Sequence, residues 1–363
     1  MKKTEQARHS LIALDLMRGL AAFMVLITHV RGDLFVPYGE LLVSQHGFAA
    51  MLFFGTTRLS QEAVIVFFVL SGFLVGGQVI SRVRNGSFDI RSYAIDRTTR
   101  VYIPLIPACI VAAVIDQLFF HRTPNVVQVV GNMVGLNEIL VPSLAANLVL
   151  WSLAYEIWFY VLAGAVGYIV TRRPNLASLA VLAVCAVVFS LLKIEYLLFW
   201  LLGAGASVAT GVRFKAALLV LGTCLAAVGT VSYELAADSK SLVPVAYMPP
   251  MAAEFLVCLG IAMMLPFFAS APVNRSLSGI RNFAVAVSGF SYTLYLFHRP
   301  IDAALGTIIA RADVISAQSL SIFLLRLVIC LMGAVIFYYC FERHTAAARR
   351  YLSVVMTKRT SPT

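Results

Sequence analysis

Charge is what this chain has least of. Only 12% of its 363 residues are Asp, Glu, Lys or Arg, while 60% are hydrophobic. A soluble domain of this length needs far more polar surface. Paired cysteines are missing too. Cys109, Cys185, Cys224, Cys258, Cys330 and Cys340 all lie in apolar stretches, and no C-x-x-C spacing occurs. That argues against a zinc site and a disulfide framework, and leaves the cysteines as small core fillers. No internal repeat or low-complexity tract is present. The longest segments expected outside a membrane, the loops near 31–60 and 82–100 and the tail after 343, are too short for a core of their own. The net charge is +11, but the basic residues are scattered over many loops with no nucleic-acid motif. Nucleic acid is therefore not an expected partner.

Apolar runs of about 20 residues are what the chain has instead, as a polytopic helical membrane protein requires. Ten spans are expected: 11–30, 61–81, 101–120, 145–170, 175–192, 194–212, 215–233, 248–269, 283–307 and 319–342. The fifth and sixth are divided only by Lys193–Glu195. The first segment is expected as a retained span, being too long and too charged at its far end for a cleaved signal. Placing both termini in the cytoplasm puts 19 Lys and Arg residues inside and seven outside, with Arg18 and Arg326 inside spans. This N-in, C-in arrangement obeys the positive-inside rule. The expected fold class is all-α, an integral membrane helical bundle. Residues 1–345 form one transmembrane domain and 346–363 a cytoplasmic tail expected to be disordered.

Five clusters within this apolar background carry polar chemistry. Arg18 and His29 lie in LDLMRGLAAFMVLITHV, eleven steps apart. That is close to whole helical turns, so both face one side, about 16 Å apart. Asp15 precedes Arg18 by three residues and can pair with it. Intramembrane ionisable groups are costly and usually face a protein interior. FFVLSGFL contributes Ser71 beside Gly72, which also suits close helix packing. Arg97 and Arg100 in DRTTR share a side and can grip phosphate, or serve only as positive-inside charge. WSLAYEIWFY contributes Trp151, Ser152 and Glu156. The carboxylate needs a partner, either an imidazole that it orients or a salt bridge that merely joins helices, or else it holds a proton of its own because burial disfavours its charge. GFSYTLYLFHRPI places Ser291, Tyr295 and His298 on one stripe with Tyr292 beside it, and an interfacial aromatic belt is the structural alternative. His29, Glu156 and His298 come from three spans, yet all fall toward the outer half.

These motifs, in this order, resemble the membrane-bound acyltransferase family 3. Its members are bacterial O-acyltransferases of surface polysaccharides and lipopolysaccharide, and the exopolysaccharide acetyltransferases are the nearest in feel. The resemblance runs from LDLMRGLAAFMVLITH to SYTLYLFHRPI. It implies that Arg18 and His29 are essential, that Arg97 and Arg100 engage acyl-CoA from the cytoplasm, and that Glu156 is the family's carboxylate. One departure is FERHT, where relatives often close with Glu-x-Pro.

The implied reaction moves an acyl group, expected to be acetyl, from acyl-CoA to a hydroxyl of an exported or lipid-linked glycan at the bacterial inner membrane. No resident cofactor and no metal are expected; acyl-CoA is a co-substrate. His29 is expected as general base and Glu156 as its orienting carboxylate. Ser291, Tyr292, Tyr295 and His298 line the acceptor side, with Ser71, Trp151 and Ser152 in support. Arg18 contacts the donor or braces Asp15. A transient acyl-histidine is the rival chemistry. The rival function is transport or flipping of a sugar or lipid-linked glycan, although the inverted repeat common in carriers is absent. Besides the bilayer, the glycan and acyl-CoA, a second copy is neither required nor excluded by these spans.

Overall fold

A computed structural model describes residues 11–237 and 248–358 of the chain. Lys2, Lys3, Arg8, Lys240 and Arg359, used in the orientation count, lie outside the described residues. Within them the fold is helical. Its only β pairings are isolated bridges at Phe35–Ala312 and Asn137–Val141. The helices are α1 Ile12–Leu34, α2 Phe48–Thr56, α3 Ser60–Ser71, α4 Gly77–Arg84, α5 Ile90–Phe119, α6 Val126–Met133, α7 Trp151–Thr171 and α8 Leu176–Leu191. They continue with α9 Ile194–Val208, α10 Lys215–Ala237, α11 Pro250–Phe268, α12 Ala271–Ser276, α13 Arg281–Ile308, α14 Ala317–Cys340 and α15 Thr345–Lys358.

Eight helical stretches are long and apolar enough to cross a membrane. The other two expected spans are helical but fall short of that mark. α8 has 16 residues, and α13 carries too many polar and charged groups. Side chains such as Leu176, Val220, Leu324 and Ile336 are left exposed on these helices, as a lipid-facing surface requires.

Three expectations are corrected. The third span begins at Ile90, not near 101, because Asp89 caps it by accepting a hydrogen bond from Ser92 N at 2.8 Å. Arg97 and Arg100 therefore stand inside α5, two to three turns in, and not in a loop. The segment near 31–60 is not a bare loop, since it contains α2. The tail expected to be disordered is helical from Thr345 to Lys358, and Arg349 of that helix pairs with Asp96 of α5 at 3.5 Å. The break near Lys193 holds: α8 ends at Leu191 and α9 begins at Ile194, and the Lys193 backbone N–H donates to the Tyr155 hydroxyl at 2.9 Å.

The chain divides into two compact units. Unit 1 comprises residues 1–25, 59–78 and 194–291. Its helices meet through small residues, as in many membrane interfaces. A Cβ on Gly222 would lie 2.6 Å from the Gly260 carbonyl oxygen, and one on Gly229 2.6 Å from that of Ala253. Only glycine lets α10 and α11 approach so closely. A π-helical turn at Gly72–Gly76 follows α3, and Gly72 lies directly against the backbone of Trp200 in α9. Gln61 donates to Glu254 at 2.8 Å and to Tyr196 at 3.0 Å, which satisfies a buried polar cluster.

Unit 2 comprises residues 26–58, 79–193 and 292–363. α5 and α7 form its spine, with α8 and α15 against them. Asp116 of α5 accepts from the backbone N–H of Ala145 and Ala146 at 3.1 and 2.8 Å, anchoring the strap before α7. Asn147 in that strap donates to the Leu296 carbonyl of α13 at 3.0 Å.

Candidate active site

The last turns of α1 and the second half of α13 bring two imidazoles together in unit 2. His29 Nδ1 lies 2.9 Å from His298 Nε2, and the rings stack with centroids 5.2 Å apart. His298 is fully buried, with 0% of its surface exposed, so it is not an interfacial belt residue. Its other nitrogen, Nδ1, lies 2.9 Å from the carbonyl oxygen of Leu294. A carbonyl only accepts, so Nδ1 of His298 carries the proton. In the neutral ring Nε2 of His298 then holds a lone pair, and His29 Nδ1 must donate to it. The remaining nitrogen, His29 Nε2, keeps its lone pair. Two hydrogen bonds thus fix both tautomers and leave one basic nitrogen on a half-buried ring.

Charge pairs and hydrogen bonds brace this pair. Arg299, next in sequence to His298, pairs with Asp33 at the end of α1 and lies 3.8 Å from Asp302. Asp302 also takes two hydrogen bonds from Arg326 of α14, at 2.6 and 2.9 Å, and both side chains are fully buried. The Tyr295 ring meets His298 edge-on at 6.1 Å, and its hydroxyl lies 2.6 Å from that of Ser152. Trp151 stands edge-on to Tyr155 at 5.8 Å, a packing role.

Glu156 does not orient His29. Its carboxylate accepts a hydrogen bond from Tyr160, one turn further along α7. Its field falls on Tyr292 and Tyr295, as those of Glu342 and Arg100 fall on Tyr292. The physical reason is depth. Ser152 is level with Tyr295, so Glu156 is displaced along α7 away from the imidazoles by about one turn. The Tyr160 ring in turn carries the Arg97 guanidinium at 5.5 Å, and the Tyr93 ring carries it at 6.0 Å. Arg97 lines a cavity of about 440 Å³ between α5, α7 and α8, together with Tyr102, Tyr168, Asn175 and Ser178. Arg100 is not among the residues lining it, so the two arginines have different surroundings. Unit 2 therefore contains, from the cavity to the imidazoles, Arg97, Tyr160 and Glu156 in contact, Tyr292 of α13 within the field of Glu156, and Tyr295, His298 and His29 in contact.

A protein-family model for an acyltransferase domain, acyltransferase 3, matches residues 11–341. The chain belongs to the membrane acyltransferase family 3. It is an acyltransferase and a multi-pass membrane protein. Comparison with curated proteins and with solved structures gives no match.

The remaining residues singled out in this acyltransferase sequence lie in unit 1. Asp15 accepts from Ser288 at 2.9 Å, Arg18 is half-buried on α1, and Ser71 accepts from Trp200 Nε1 at 3.2 Å. Ser291 bonds the Ser288 carbonyl of its own helix, at 2.8 Å. Ser71 and Ser291 thus serve packing and helix geometry. Among the described residues, no cluster fit to hold a metal occurs. Of the cysteines, Cys224 and Cys340 are exposed and the other four are buried, so core filling accounts for those four.

Sequence reading of the acyltransferase missed the Asp302–Arg326 pair and Glu342. Arg326 carried a signal, being a charge inside a span. Glu342 lies in FERHT and accepts from Thr293 N and Oγ1 at 3.0 and 2.5 Å. The glutamate of the expected Glu-x-Pro thus has a buried role on α13 without the proline.

Proposed function

We infer that this acyltransferase moves an acetyl group from cytoplasmic acetyl-CoA to a hydroxyl of an exported or lipid-linked glycan. The hydrogen-bonded pair of His29 and His298 carries the reading. An imidazole with a fixed tautomer and one free lone pair is suited to take a proton from an alcohol.

With the N-terminus inside, the cavity at Arg97 opens toward the cytoplasmic half and the imidazole pair stands toward the outer half. Arg97 holds a phosphate of the donor at the inner mouth. The pantetheine arm follows the line of side chains toward His29. His29 Nε2 accepts the hydroxyl proton as the oxygen attacks the thioester carbonyl carbon. The C–S bond then breaks, and the thiolate of CoA takes the proton back from His29. His298 holds the ring and stabilises the imidazolium through the lone pair on its Nε2, the task that sequence reading had given to Glu156.

The test is transfer of labelled acetyl from acetyl-CoA to glycan in membranes bearing the wild type or His29→Ala. The variant is expected to lose about 10²- to 10⁴-fold in rate. Equal labelling by both proteins would remove His29 from the chemistry, and absence of any labelled acceptor would remove acyl transfer to glycan.

A further inference from the structure

Two polar atoms on the line between the cavity and the imidazoles have no hydrogen-bond partner among the described residues, Arg97 Nε and the Tyr292 hydroxyl, and the second lies nearer the imidazoles. The Tyr292 hydroxyl is buried and forms no hydrogen bond with the described residues. Buried hydroxyls almost always have one, because leaving it unmade forfeits the hydration lost on burial. The hydrogen bonds of the acceptors around it run to other groups. Glu156 takes the Tyr160 hydroxyl, and Glu342 takes both the N–H and the hydroxyl of Thr293. The Tyr295 hydroxyl is bonded to Ser152.

Position and charge define what would complete it. Tyr292 precedes His298 by six residues on α13, about 9 Å of helix rise. It stands on the Arg97 side of that histidine. The charged groups acting on it are Glu156, Glu342 and Arg100, two carboxylates against one guanidinium. An anionic acceptor is therefore disfavoured there and a neutral one suits. Between the phosphates and the thioester of acyl-CoA, the groups of that kind are the amide carbonyls of the pantetheine arm.

We propose that Tyr292 donates a hydrogen bond to an amide carbonyl of the pantetheine arm. This rests on the donor reading above and moves Tyr292 from the acceptor side to the donor side. It makes Tyr292 a gauge of the arm alone, blind to the nucleotide end.

The test compares two ligands on purified full-length protein in phosphatidylethanolamine–phosphatidylglycerol nanodiscs by titration calorimetry. Acetyl-CoA carries the arm, and adenosine 3′,5′-bisphosphate has phosphates without it. Tyr292→Phe is expected to weaken acetyl-CoA about three- to tenfold and to leave the bisphosphate unchanged. Its melting temperature is expected to hold or rise, since an unpaired buried hydroxyl is removed. Arg97→Ala is expected to weaken both ligands. Unchanged acetyl-CoA binding in Tyr292→Phe, or equal weakening of both ligands, would overturn the proposal while leaving the donor reading intact. Failure of the wild type to bind acetyl-CoA would overturn the donor reading as well.

Discussion

A single imidazole serves as a base only if one nitrogen keeps its lone pair and the ring holds still. His29 meets both needs through His298, whose own tautomer is set by the Leu294 carbonyl. The lone pair on His298 Nε2 is thus the feature to preserve. His298→Gln offers an amide oxygen in its place and is expected to retain several-fold more activity than His298→Ala. Initial rates of acetyl transfer at saturating donor measure this, and equal rates would mean that His298 contributes only bulk. At this scale the sequence was partly legible. A histidine and arginines inside apolar helices are visible because charge in a membrane is costly. Which of them touch is set by helix depth and rotation. Glu156 was therefore matched to His29, although it bonds Tyr160, and His298 was placed on the acceptor side instead of against His29.

Among elements, α13 is the one on which the site hangs. It presents Tyr292, Tyr295 and His298, and its C-terminal half is fastened by Arg299 to Asp33 and by Asp302 to Arg326. Removing one partner of a fully buried pair leaves an uncompensated charge, at a cost of about 3–5 kcal/mol. Asp302→Ala is accordingly expected to lower stability by that order, read as a fall in melting temperature in detergent. Arg326→Met combined with Asp302→Leu is expected to recover most of it. An unchanged melting temperature for Asp302→Ala would show that the pair does not hold α13. The helices themselves were largely legible from apolar runs of span length. The start of α5 was not, because residues 90–100 are polar and their helical state depends on the Asp89 cap and on contact with α15.

For the whole molecule, the account requires both termini on the donor side of the membrane. Fluorescent-protein fusions after residue 363 are expected to light up, and alkaline phosphatase fusions at the same point to stay inactive. Active phosphatase there would reverse the orientation and put Arg97 on the acceptor side. Membership of the acyltransferase family was legible because its motifs recur in order along the chain. The division into two units was not, since each unit gathers three separated stretches of sequence.

The most direct measurement is a double-mutant cycle on single-turnover acetyl transfer, with His29→Ala and His298→Ala singly and together. If His298 acts by holding His29, it matters only while His29 is present. His298→Ala is expected to slow the wild type by at least tenfold and to have almost no effect in the His29→Ala background. Losses that multiply in the double variant would contradict the account, because the two imidazoles would then act independently.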